Sequence, residues 1–232
     1  MTLTHTIDRD ALVQDICDMV ATFSVNPYDD PAAPAEAAMA DLFEAKLIAL
    51  GVEVDSHVVS EGRRNVWGRL KGSGQGPTIL LAGHLDTVGV DGYDAPFTPH
   101  LKDGRVYGRG SCDMKAGVAS YLAVVRAMKA SGTQLQGDLV VAGLVDEEHA
   151  MHGSAYFGKH GPKADYALVA EPSQLAICPM HKGQVLVTLT TTGKSVHSSL
   201  PHLGTNAVYH MAAIVTALQG YANDLSQRPP HP

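Results

Sequence analysis

Residues 78–90 read Thr-Ile-Leu-Leu-Ala-Gly-His-Leu-Asp-Thr-Val-Gly-Val, and the fold turns on this stretch. Ile79-Leu80-Leu81-Ala82 is an apolar run of the length and composition expected of a strand buried on both faces. It stops at Gly83-His84-Leu85-Asp86-Thr87. Side chains two apart share a face in an extended segment, so His84 and Asp86 are expected to point the same way at the carboxyl end of that strand. Open α/β sheets place their chemistry there. Taken alone, an H-x-D pair reads more readily as a solvated loop at a strand end than as a metal ligand beside an orienting acid.

Upstream, 7–23 carries apolar residues at helical spacing, and 35–50 is a second helix closed by Gly51. The Pro-rich stretch 26–34 reads as a loop, and 52–59 and 65–70 as strands around a polar turn. Downstream, 89–99 is irregular, of the kind that shapes a pocket beyond a site. A short strand at 105–107 leads to Gly108-Arg109-Gly110-Ser111-Cys112-Asp113-Met114-Lys115, which opens a helix running to about Ala130. Asp113 near that helix start reads by itself as a cap. Cys112 reads as packing at the helix start rather than as a nucleophile, since no His pairs with it.

Two further apolar runs, 138–145 and 165–170, end in Asp146-Glu147-Glu148-His149 and in Glu171-Pro172-Ser173. Strand ends and one helix start thus deliver His84, Asp86, Asp113, Glu147, Glu148 and Glu171. Each is ordinary alone, and together they predict a metal centre. One imidazole with several carboxylates suits zinc, and also cobalt or manganese. A bridging carboxylate would allow two ions roughly 3.5–4 Å apart, lowering the pKa of a bound water toward ~7. Of two adjacent acids, one serves as ligand while the other takes the proton of the water and passes it to a leaving amine. The reaction class is metal-assisted amide hydrolysis. The alternative is a non-catalytic metal-binding or dimerisation module on the same fold.

From Leu175 the character changes. Residues 184–192 alternate and are Thr-rich, as a half-exposed antiparallel strand would be, and 205–218 are helical. The expected organisation is a catalytic α/β part over 1–180 and a second part over 181–232.

The bulk numbers restrict partners. Among 232 residues, 24 Asp and Glu outweigh 17 Lys and Arg, for a formal charge of −7. Such a balance argues against nucleic acid or an anionic membrane as partner, and no apolar run approaches the ~20 residues of a membrane span. The start, MTLTHTIDRDAL, lacks a secretion-signal pattern. Three scattered cysteines argue against a disulfide framework, so the expected compartment is the cytoplasm.

GHLDT, GRGSCDMKAG, DEEHAMHGS, AEPS and GKSVHSSLPHLGTNA resemble, in order and approximate spacing, the metallohydrolase family that includes acetylornithine deacetylase, succinyl-diaminopimelate desuccinylase and glutamate carboxypeptidase. The resemblance spans about Leu80 to Ala207. It implies a zinc-peptidase-like mixed sheet flanked by helices, followed by an α+β lid domain that often dimerises, and hence a homodimer. It implies two zinc ions. His84 and Glu171 match ligands of the first, Asp113 the bridging ligand and Glu148 a ligand of the second. Glu147 matches the general base, Asp86 the acid that orients His84, and His197 a lid histidine that polarises the scissile carbonyl. The substrate implied is a small N-acyl amino acid or peptide, whose carboxylate would need a basic partner such as Arg109 or Lys182. Family members return after the lid with a last His ligand of the second metal. His202, His210 and His231 lie in the lid-like segment and none matches it. The expectation is therefore a truncated member with exposed apolar surface and poor solubility alone.

Overall fold

The computed structural model describes residues 7–28, 34–181 and 183–229. Lys182, His231 and part of the Pro-rich loop lie outside these. The chain divides into two compact units, Met1–Ile177 and Cys178–Pro232.

In the first unit, α1 (Arg9–Ala21) starts where Asp8 accepts the Ala11 N–H at 2.9 Å, a side-chain cap on an otherwise unpaired amide. Helix α2 (Ala37–Ala49) ends where Gly51 takes a φ of +63°, a left-handed stop that glycine adopts without strain. Strands β1 (Glu53–Ser60) and β2 (Arg63–Leu70) form an antiparallel hairpin. The central β3 (Ile79–His84) follows, then a small hairpin of β4 (His100–Lys102) and β5 (Arg105–Tyr107). The turn Ser111–Lys115 leads into α3 (Ala116–Ala130), and β6 (Leu139–Leu144), α4 (His152–His160) and β7 (Tyr166–Val169) complete the unit.

The five-stranded sheet has the order β1-β2-β6-β3-β7. β3 runs parallel to both β6 and β7, while β2 joins β6 antiparallel, so the sheet is mixed. Alternation along β6 divides the core in two. Leu139 and Val141 face Phe43, Leu47, Val118 and Leu122, beneath α2 and α3. Val140 and Ala142 face Trp67 and Phe157 on the α4 side. Each fully buried Leu or Phe in the first layer contributes about 1.5–3 kcal/mol of transfer free energy, so this layer dominates stability.

Two strand expectations need correcting. Residues 165–170 do form a strand, but all four residues of β7 are exposed. β7 is an edge strand, paired on one side only, with β3, so its apolar run reflects its place in the sheet rather than burial. In the second unit, 184–192 forms no strand. A strand needs a pairing partner, and the described residues offer only the isolated Lys194–Thr205 bridge. That unit contains a short turn at Pro201–Leu203 and α5 (Ala207–Ser226), capped by Asn206, whose side chain accepts the Val208 N–H at 2.9 Å. Val208, Tyr209 and Val215 on α5 are exposed. Among the described residues, no helix is long and apolar enough to cross a membrane.

Candidate metal centre

Strand register explains why distant acids meet. β3 and β6 pair with His84 opposite Leu144, so Asp86 and residues 146–148 emerge from neighbouring strand ends. β3 and β7 pair with Ala82 opposite Val169, so two residues further on His84 lies level with Glu171. Asp113 arrives from the turn before α3 and does not cap that helix.

His84 is buried and stands at the centre. Its Nε2 lies 3.1 Å from Asp113 Oδ1 and 3.8 Å from Glu171 Oε1. Ligand atoms of His84, Asp113 and Glu171 lie within 4.8 Å of one another, as do those of His84, Glu147 and Glu148. The two groups share His84, whose Nδ1 faces the other way, 2.9 Å from the Asp86 main-chain carbonyl oxygen. The Asp86 carboxylate is further from that nitrogen, at 3.6 Å. The expected orienting contact thus comes first from the backbone of Asp86, while the carboxylate acts elsewhere. Its Oδ1 accepts the Glu147 N–H at 3.1 Å, and its Oδ2 accepts the Glu148 N–H at 3.0 Å.

Charge in the cluster is unbalanced. Burial opposes a proton on His84, but the carboxylates of Asp86, Glu171 and Asp113 outweigh it and raise its pKa to about 10. Burial raises Glu171 to about 7, with repulsion from Asp113 and Glu147 adding to it and His84 opposing. Burial also raises Glu147 and Glu148, again with neighbouring carboxylates adding and His84 opposing. Asp86 is held low despite burial, by the His84 imidazole nearby and by hydrogen bonds from Asn26 and the Glu148 amide. An imidazole nitrogen with four converging carboxylates is a donor set that fits zinc, cobalt or manganese, and a dication would relieve the repulsion. Since one nitrogen binds one ion, a second ion here would rest on carboxylates.

The other named residues are not members of these two ligand groups. His197 belongs to the second unit, where it is exposed and its Nδ1 accepts the Ser199 N–H at 3.2 Å. The Arg109 guanidinium lies over the Tyr93 ring, 5.3 Å from its centroid. Cys112 is exposed rather than packed. Lys115, two residues past Asp113, is fully buried and donates to the Met19 and Thr22 carbonyls at the end of α1, and burial pushes its pKa down to about 7.

Sequence reasoning missed the polar layer beneath the cluster. Asn26, treated there as loop, donates to Asp86 at 2.7 Å and to Asp146 at 3.1 Å. Arg63 pairs with Glu36 and reaches Asp146 at 3.1 Å. His152 Nδ1 lies 2.6 Å from Asp146 Oδ2. These partners are 60 to 120 positions apart for Asn26, beyond any local pattern. The one local hint was a short polar residue at the end of the first helical segment.

Residues 80–230 match the peptidase family M20/M25/M40, and the chain belongs to that family. An acetylornithine deacetylase of Vibrio vulnificus is 36% identical over 204 residues, covering 86% of this chain and 53% of its own length. The acetylornithine deacetylase of Proteus mirabilis is 34% identical over 216 residues, covering 90% and 55%. The chain thus spans about half the length of the curated relatives it matches. Among solved structures, a tripeptidase of Staphylococcus aureus superposes with a TM-score of 0.67 at 19% identity, over 91% of this chain and 57% of that one. Aminopeptidase PepT of Bacillus cereus gives 0.63 at 21% identity, over 91% and 57%. At these identities the likeness is one of fold.

Proposed function

We propose that this chain carries the metal-binding part of an amidohydrolase that cleaves the amide of a small N-acyl amino acid or peptide, in the manner of an acetylornithine deacetylase or desuccinylase. The observation that carries the proposal is the convergence of Asp113, Glu147, Glu148 and Glu171 on one buried imidazole at the carboxyl ends of neighbouring strands. The deacetylase relatives support the choice of an N-acyl amino acid over a longer peptide.

Zinc, or cobalt or manganese, would supply Lewis acidity to the substrate carbonyl and acidify a water molecule. His84 and Glu171 would hold one ion, with Asp113 as the shared ligand and Glu148 as a ligand of the second. Glu147 takes the proton of the attacking water on its carboxylate and passes it to the departing amine nitrogen. Asp86 keeps His84 in one tautomer through its carbonyl and holds the loop of the two glutamates through its carboxylate. The family resemblance gives His197 the role of polarising the scissile carbonyl. A homodimer through the second unit belongs to the same reading and is supported by exposed apolar side chains on α5. Cytoplasmic residence is supported by the cysteine pattern alone.

The test is hydrolysis of N-acetyl-L-ornithine, N-succinyl-L,L-diaminopimelate and a dipeptide by the zinc- or cobalt-loaded chain and by Glu147→Gln. The expected result is cleavage of an N-acyl substrate by the first and none by the second. No cleavage by a folded, metal-loaded chain, or cleavage that survives Glu147→Gln, overturns the proposal.

A further inference from the structure

Three buried polar residues meet below the cluster: Asn26, Asp86 and Asp146, with 1%, 0% and 1% of their surface exposed. The segment carrying Asn26 runs alongside the end of β3, with Thr87 N–H donating to the Ser24 carbonyl and Asn26 N–H to the Thr87 carbonyl. This places the Asn26 side chain between the carboxylates of Asp86 and Asp146, the latter also reached by Arg63 at 3.1 Å. Its Nδ2 donates to Asp86 Oδ2 at 2.7 Å and to Asp146 Oδ1 at 3.1 Å. Its Oδ1 accepts the Tyr28 N–H at 2.8 Å. The amide can adopt only this orientation. Turned over, its oxygen would meet two carboxylates and its NH2 group would meet an N–H.

Both carboxylates act on the same loop. Asp86 accepts the Glu147 and Glu148 N–H groups. Asp146 immediately precedes them with a φ of +68°, a left-handed conformation costly for a residue with a side chain, and its Oδ2 binds His152 at the far end of the turn. A left-handed turn at a residue other than glycine is held by its surroundings, here by the bonds that Asp146 makes to Asn26 and His152.

We infer that Asn26 is a positioning residue for Glu147 and Glu148: its single amide ties Asp86, which holds their backbone N–H groups, to Asp146, which sets the turn that presents them. The inference rests on the proposed function only for the meaning of that pair.

The experiment compares Asn26→Ala with the wild-type chain, metal-free, by amide hydrogen exchange read by NMR. The Glu147 and Glu148 amides exchange at least tenfold faster in the variant, while those of Leu81 and Val141 in the core change only as far as global stability does. Cobalt titration read by visible absorption then shows an apparent affinity lowered tenfold or more. If Asn26→Ala does not fold, Asn26→Ser, which keeps one donor, is read in the same way with a smaller effect. Wild-type rates at both amides, a uniform acceleration of all amides, or unchanged cobalt affinity beside faster amides overturns the inference. A wild-type chain that binds no cobalt overturns the proposed function instead, and the amide comparison then decides this one alone.

Discussion

The Asp86 carboxylate accepts the backbone N–H of Glu148 at 3.0 Å and, through its other oxygen, that of Glu147 at 3.1 Å. One buried side chain at the end of β3 therefore holds the loop that follows β6, and the parallel register of those strands makes the reach short. Removing it leaves two part-buried N–H groups and the buried Asn26 amide without their acceptor. Asp86→Ala is expected to cost about 3 kcal/mol in a urea melt of the metal-free chain, the size seen when one partner of a buried charged network is deleted. A loss below about 1 kcal/mol would show that the loop stands without it.

Glu147→Gln keeps shape and removes the proton acceptor. The expectation is a fall in kcat of about 10²- to 10⁴-fold with zinc content unchanged, measured on the same metal-loaded preparation. A parallel loss of zinc would move Glu147 from base to ligand.

Gly153 opens α4 where the chain passes close under the end of β6. A Cβ there would run into the Val145 carbonyl oxygen and lie 2.6 Å from Val145 N. Backbone gives way less readily than a side-chain tip, so Gly153→Ala is expected to destabilise by about 1–3 kcal/mol. Because Val145 leads directly into the Asp146–Glu148 turn, zinc affinity should fall as well. A thermal melt and a zinc competition titration read the two effects separately.

The pH dependence of stability has one well-defined contributor away from the cluster. Lys46 Nζ lies 2.8 Å from Asp15 and 2.7 Å from Asp18, tying α2 to α1. Burial opposes charge on both Lys46 and Asp18, but their mutual bonds prevail, raising the lysine and lowering the aspartate. For Asp18 the folded pKa lies below the ordinary 3.8, so its stabilisation is present above that value and is lost as pH falls through the folded pKa. For Lys46 the folded pKa lies above 10.5, so its stabilisation is present below that value and is lost as pH rises through the folded pKa. Lys46→Met should therefore lower the melting temperature most near neutrality and least at either extreme. A shift independent of pH would mean that the lysine stem, and not its charge, joins the helices.

How much of this was legible beforehand depends on how local each signal is. Apolar runs that stop at His84, Glu147 and Glu171 are visible in a window of a few residues, and the parallel register then brings them together. The β1–β2 hairpin was equally local. The exposure of β7 was not, because an apolar edge strand and a buried one have the same composition over four residues. Residues 184–192 had the alternation of a strand without a partner to pair with among the described residues. The Asn26–Asp86–Asp146 layer was invisible for a different reason: it joins three short polar residues that each suit a turn or cap, and only folding shows that they share hydrogen bonds.

The central claim is that His84, common to both groups of ligand atoms, organises a metal centre with the surrounding carboxylates. The most direct measurement is elemental analysis of the purified, zinc-equilibrated chain beside His84→Ala, with circular dichroism to confirm that both are folded. The account predicts about one equivalent of zinc or more in the wild-type chain and almost none in the variant. A folded wild-type chain without zinc, or a His84→Ala variant that keeps its full content, would contradict it.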